Sequence, residues 1–102
     1  MNGIISYPTG SISTHYDSSE NDMIVRIYKQ DKKHVVIHMH IYYDNDTSMI
    51  VSAGGNTFRN DYFSDKLFFT IRDALDRYLA FNEPEVNTVL SILESLGFEL
   101  IN

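Results

Sequence analysis

Between Met23 and Ala53, apolar and polar residues alternate with a period of two. This period is typical of β-strands that are buried on one face and exposed on the other. The alternation predicts three strands, at residues 22–29, 34–43 and 48–53. Two polar clusters rich in turn-forming residues, 30–33 and 44–47, separate them. Short connections of this kind predict an antiparallel meander.

The residues after Ala53 predict one more turn and a change to helix. Gly54 and Gly55 suit a hairpin turn, and a short fourth strand is expected near residues 57–59. After Asn60 the apolar period becomes 3.6, which predicts a helix with Ser64 as N-cap and an end near residue 82. A second helix is predicted over residues 84–95, and residues 98–101 either add an edge strand or simply pack.

The chain length of 102 residues indicates one compact unit. We expect an α+β domain over residues 22–102, built from an antiparallel β-meander of three to five strands with two C-terminal helices packed on one face. Residues 1–21 are expected to form an N-terminal strand followed by an irregular loop, because residues 8–21 mix Ser, Thr, Gly and Asp without periodicity.

The parity of the central strand predicts which side chains point inward. Its odd residues, from Val35 to Ile41, are all apolar, so they are expected to face the helices, while the even residues face outward. Keeping apolar residues opposite each other requires loops of odd length, for example residues 44–46. The resulting neighbours are His38 between Arg26 and Ser52, His40 between Ile24 and Ile50, Val36 beside Tyr28, and Tyr42 beside Ser48.

The pattern His38-x-His40 raises the question of a metal site. Two imidazoles at i and i+2 on a strand can share a metal ion, but a site needs a third and preferably a fourth ligand. The expected neighbours of the pair supply none, and the Arg26 guanidinium would repel a dication. Only the N-terminal segment, with His15, Asp17 and Glu20, could complete the site. We therefore expect no metal and no other cofactor.

The charge balance favours some partners over others. Fourteen acidic residues against eight basic ones give a formal charge of -6, which disfavours nucleic acid and anionic membranes as partners. No window approaches the roughly 20 apolar residues that a membrane span needs. The chain has no cysteine, which excludes disulfides and thiol chemistry, and a cytoplasmic location is expected.

The outward-facing residues form the candidate binding surface, because they include more apolar and aromatic residues than a surface that contacts only solvent usually has. We expect a small acidic protein-binding module of the inhibitor or immunity type, as found in phages and mobile elements, that docks on a partner enzyme and is not itself an enzyme. The residues expected to contact the partner are Ile24, Arg26, Tyr28, Val36, His38, His40, Tyr42, Asp44, Asp46 and Ile50.

Two alternatives to this function stay open. One is a metal-binding enzyme or sensor that uses His38 and His40. The other is a subunit of a homodimer or larger assembly whose copies stack on the outward face. In addition, residues 1–21 could fold over that face and bury it within one chain.

Overall fold

The structure, a computed structural model, describes residues 2–45, 47–62 and 64–102. Its elements follow the chain as β1 (Asn2–Tyr7), β2 (Gly10–Asp17), β3 (Asp22–Tyr28), β4 (Val35–Asp44), β5 (Ser48–Ala53), β6 (Asn56–Asn60), α1 (Lys66–Phe81), α2 (Val86–Ser95) and β7 (Glu99–Leu100). The strands form one antiparallel sheet in the order of the chain. The α+β class is confirmed, and the seven strands found in the described residues exceed the expected three to five.

The core lies between the sheet and the two helices. The odd residues of the central strands, such as Val25, Met39 and Val51, are fully buried, as parity predicts. The helices bury one stripe each against them, formed in α1 by Leu67, Phe68, Ile71, Leu75 and Leu79 and in α2 by Val89 and Leu93. Both helices therefore cover the same face of the sheet, and no helix in the described ranges covers the opposite face.

The segment expected to be an irregular loop contains a strand. β2 pairs with β3 over all but its first residue, from Ser11 opposite Tyr28 to Asp17 opposite Asp22. Its inward positions are occupied by Ile12, by the hydroxyl residue Thr14, which is 8% exposed, and then by a tyrosine. Because only one of these is aliphatic, the alternation of β2 is weak in the sequence, although the residues do alternate in space.

The helix ends lie close to the predicted positions. Asp65 occupies the N-cap position of α1 instead of Ser64, although the Ser64 hydroxyl does accept a hydrogen bond from the Lys66 N–H at 3.2 Å. α2 begins after Glu85 and so excludes Pro84, which precedes the helix. Gly97 follows α2 with a φ of 97°, the left-handed conformation that closes many helices.

Candidate functional site

The face of the sheet opposite the helices, called here the outer face, carries most of the residues predicted to bind a partner. The register of the antiparallel strands aligns alternate residues of β2 to β6 on this face. Its central residues are Ser13 and His15 from β2; Asp22, Ile24, Arg26 and Tyr28 from β3; His38, His40, Tyr42 and Asp44 from β4; Ile50 and Ser52 from β5; and Arg59 from β6.

The N-terminal strands extend this face sideways and do not lie over it. β1 pairs with β2, and β2 pairs with β3, so residues 2–17 extend the sheet sideways. The alternative in which residues 1–21 fold across the outward side chains is wrong for the part of the segment that the structure describes. The physical reason is that the backbone of β2 is paired in the sheet ladder on both sides, which fixes its position at the level of the other strands.

A polar and aromatic group lies at the middle of the outer face. The Nε2 atom of His40 donates a hydrogen bond to Oδ2 of Asp22 at 2.9 Å, across the β3–β4 pair. The same imidazole packs on the ring of Tyr42, with centroids 4.9 Å apart and planes inclined by 38°. Hydrogen bond and ring contact together hold the His40 side chain, which nevertheless remains 42% exposed.

The aliphatic residues of the outer face are covered by their polar neighbours. Ile50 is only 5% exposed, because it lies between Tyr42 on β4 and Arg59 on β6. Arg59 is held in turn by Asp61 and Ser48, to which its Nε donates hydrogen bonds of 2.9 and 3.1 Å. Near β4 and β5 the outer face therefore presents tyrosine, histidine and arginine to solvent, with Ile50 buried beneath them.

The hydrogen bonds around Asp61 also change its acidity. The Ser48 hydroxyl donates to its carboxylate at 3.1 Å, and the Arg59 guanidinium adds a hydrogen bond and an opposite charge. The hydroxyl first, and the guanidinium second, lower the pKa of Asp61 below its ordinary value. The carboxylate is thus charged at neutral pH and keeps Arg59 folded over β5.

The register of β4 with β5 differs from the prediction by two residues. His40 lies opposite Ser52 instead of Ile50, and Tyr42 lies opposite Ile50 instead of Ser48. The loop between the strands has the predicted three residues but runs over 45–47, and Asn45 adopts a φ of 52° in it. A shift by two leaves every side chain on its predicted face, so parity holds while the neighbours change.

Val36, predicted to belong to the site, packs against the core on the helix side of the sheet. The β3–β4 register shifts beside Tyr28, whose partner is Val35, while Ile27 still pairs with Ile37. Val36 is thus the extra residue of a β-bulge and packs against the core, whereas Val35 is 49% exposed. The bulge also explains why the connecting loop has an even number of residues, 29–34, where an odd number was predicted.

His38 stands apart from the Asp22–His40 pair. It is exposed and lies opposite Arg26, as predicted, which places a cation beside its imidazole. His15 is separated from His40 by the intervening Ile24 of β3. Among the residues that the structure describes, no three His, Asp or Glu side chains form a group that could hold a metal ion.

The structure gathers acidic residues that are far apart in the sequence. Because the strands are antiparallel, the β2–β3 turn, the β4–β5 turn and the end of β6 all lie at one end of the sheet. We call this region the acidic end, and its described members are Asp17, Glu20, Asp22, Asp44 and Asp61. Asp46, also predicted to contact a partner, lies outside the described residues.

The Asp22–His40 pair lies on the partly exposed outer face of the sheet. Ser52 lies opposite His40 on β5, and the backbones of β3, β4 and β5 are joined there in the ladder. Two shallow clefts lie elsewhere. One, of about 230 Å³, includes Thr9, Lys29 and Pro84; the other, of about 260 Å³, includes Tyr62 and Gly97.

No helix in the described part of the chain combines the length and the apolar character needed to cross a bilayer. Comparison of the chain with protein-family models, with curated proteins and with solved structures found no significant match.

Proposed function

We propose that this protein is a small acidic binding module that docks on a partner protein through its outer face. The observation that carries the proposal is that both helices cover the opposite face of the sheet, while the outer face displays Tyr28, His38, the His40–Tyr42 pair and two arginines. Tyrosine and arginine are the residues most enriched at the energetic centres of protein interfaces.

The charge distribution favours a basic partner. The acidic end borders the outer face directly, since Asp22 and Asp44 belong to the same strands as His40 and Tyr42. The formal charge of -6 would accelerate encounter with a basic surface, and carboxylates at the rim would fix its orientation. We therefore propose a partner that presents Lys and Arg residues around an apolar or aromatic centre.

The shape of the surface favours a macromolecule over a small ligand. Small-molecule sites are usually concave and enclose most of the ligand. The outer face is instead the surface of a sheet formed by five adjacent strands, β2 to β6. The face of a sheet reaches useful affinity by burying a large area. This supports docking on a protein such as an enzyme, which the module would inhibit by covering its active site.

The test begins with affinity capture from cells that carry the gene, followed by binding measurements with the purified partner. His38→Glu places a carboxylate on the exposed outer face and should weaken binding by about tenfold or more. Thr88→Glu, the same kind of change on the exposed side of α2, is the matched control and should bind as the wild type does. Addition of the wild-type protein should also lower the activity of the captured enzyme.

The acidic end is tested by a second matched pair. Asp44→Lys should reduce affinity and the association rate, whereas Asp73→Lys on the exposed side of α1 should change both much less. Equal affinities for the wild type, His38→Glu and Asp44→Lys would show that the partner binds elsewhere and would refute the proposal.

A further inference from the structure

The two edges of the sheet are built differently. β7 has two residues, one of which is Glu99, and the chain beyond it is tied back by the Ile101 N–H, which donates to the Thr57 carbonyl at 2.8 Å. A short strand with a charged residue is a common way to prevent an edge from pairing with another chain. The β7 edge is therefore protected.

The β1 edge has none of these protections. Its six residues, NGIISY, include no charge and no proline, and its register with β2 runs without a bulge from Asn2 to Tyr7. Alternate residues of an edge strand direct their N–H and C=O groups away from the sheet, where they can pair with another strand. β1 also exposes two isoleucines, Ile4 at 67% and Ile5 at 46%.

The two isoleucines lie on opposite sides of the sheet. Ile4 is opposite Ser13 and belongs to the outer face, while Ile5 is opposite the core residue Ile12 and belongs to the helix side. A strand added to β1 would therefore cover apolar surface on both faces at once. A partner would therefore recognise the edge of β1 with its side chains on both faces.

We infer that β1 pairs with β1 of a second copy of this chain, antiparallel and about a twofold axis, so that two sheets become one. An axis perpendicular to the sheet keeps the outer faces of both copies on the same side. Ile4 then lies opposite either Ile4 or Ser6 of the second copy, and Ile5 opposite either Gly3 or Ile5. Because the strand is uncharged, self-pairing brings no like charges together at the seam.

The charges of the whole chain fit the same arrangement. The acidic end lies at the end of the sheet where β1 begins, whereas the loop that carries Lys29, Lys32 and Lys33 lies at the end where β1 finishes. Antiparallel pairing of two β1 strands directs the two acidic ends in opposite directions, so the carboxylates of the two copies stay far apart. Repulsion between two chains of charge -6 is thereby reduced.

This inference is independent of the proposed function, because it uses the edge of the sheet and leaves the centre of the outer face free. The experiment measures the mass of the full chain by sedimentation equilibrium from micromolar to near-millimolar concentration. We expect the wild type to reach twice the mass of one chain. Ile4→Lys and Ile5→Lys would each place two ammonium groups near the seam and should weaken association by about tenfold or more.

Phe81→Lys is the matched control, since Phe81 is an isolated apolar residue at the end of α1 with 85% exposure. It should associate as the wild type does, and circular dichroism of all variants should be unchanged. A wild type that stays monomeric over the whole range would overturn the inference. A dimer that survives both lysine substitutions in β1 but is lost in Tyr42→Glu would also overturn it, because association would then use the outer face.

Discussion

The imidazole of His40 and the carboxylate of Asp22 lie 2.9 Å apart across neighbouring strands, and this contact organises the centre of the outer face. The two residues are not direct partners in the ladder, since Asp22 pairs with Tyr42 and His40 with Ile24. The contact is thus diagonal, which side chains of this length can span. It turns the imidazole toward the acidic end of the sheet.

The Asp22–His40 contact should contribute little to folding. Its side chains are 27% and 42% exposed, and pairs near the surface are screened by solvent. A double-mutant cycle with Asp22→Ala and His40→Ala, measured by urea denaturation, should give a coupling energy below about 1 kcal/mol. The same cycle measured by binding to a partner should give a larger value if the pair is held for recognition. A coupling of several kcal/mol in folding would instead indicate a structural role.

The parity of β4 can be tested on two adjacent residues. Met39 is fully buried among the core residues, whereas His38 is exposed. Met39→Ala should lower the free energy of unfolding by about 2–5 kcal/mol, because it leaves a cavity. His38→Ala should change it by no more than about 0.5 kcal/mol. Denaturation curves of the two variants give both values, and a similar loss in both would contradict the assignment of the faces.

Gly10 should be intolerant of any side chain. A Cβ atom there would lie 2.5 Å from the carbonyl oxygen of Tyr28 and 3.3 Å from the Pro84 ring. Gly10→Ala should therefore destabilise the protein by about 1–3 kcal/mol, since strand β2 must move away from β3. Gly3→Ala is the control, because a Cβ atom at Gly3 meets no atom within 4 Å. Thermal unfolding of the two variants at equal concentration should separate them.

Parity could be predicted from the sequence where the inward residues are large and aliphatic. Val25, Ile37, Met39 and Val51 mark the core face without ambiguity, and the structure buries all of them. β2 could not be predicted in the same way, because the burial of Thr14 is visible only when its neighbours are in place. A strand whose inward residues include hydroxyl groups resembles a loop in composition.

The register of β4 with β5 could be predicted only to within a shift of two residues. A displacement of two residues keeps each side chain on its face, so the apolar pattern of β4 and β5 fits both registers equally well. The local conformation decides between them, since Asn45 adopts the left-handed conformation that asparagine tolerates and thereby fixes the loop at 45–47. The β-bulge at Val36 could not be predicted from the sequence either, because Val35 and Val36 are both apolar and each fits an inward position.

The acidic end could not be seen in the sequence, where its carboxylates are dispersed from Asp17 to Asp61. They meet only because every second connection of an antiparallel meander lies at the same end of the sheet. Surfaces made by turns thus depend on topology, whereas the faces of a strand depend on local pattern alone. This is why the outer face was predicted more fully than the acidic end beside it.

Asp31 in the β3–β4 loop provides a test at low pH. The backbone N–H groups of Lys33 and His34 donate to its carboxylate at 2.9 and 3.1 Å, and these bonds lower its pKa to about 2. Because the folded pKa lies below the unfolded value, the stability from this group is present above pH ~4 and is lost as the pH falls toward 2. A carboxyl titration by NMR should show the low pKa. Asp31→Asn should remove that part of the acid dependence.

Asp76 on α1 should show the opposite dependence. Burial is the largest influence on the pKa of Asp76 and raises it, and the negative charge of Asp73 raises it further. The Arg72 guanidinium and a hydrogen bond from Tyr7 act in the opposite direction. The Oδ1 atom of Asp76 has no hydrogen-bond partner. Since the folded pKa is above the unfolded one, the group stabilises the fold at low pH, and this contribution is lost as the pH rises through the folded value. Asp76→Asn should therefore be more stable than the wild type at pH 7, and the difference should shrink on acidification. Urea denaturation at both pH values measures this, and a variant that is less stable at pH 7 would show that the charged carboxylate is needed beside Tyr7.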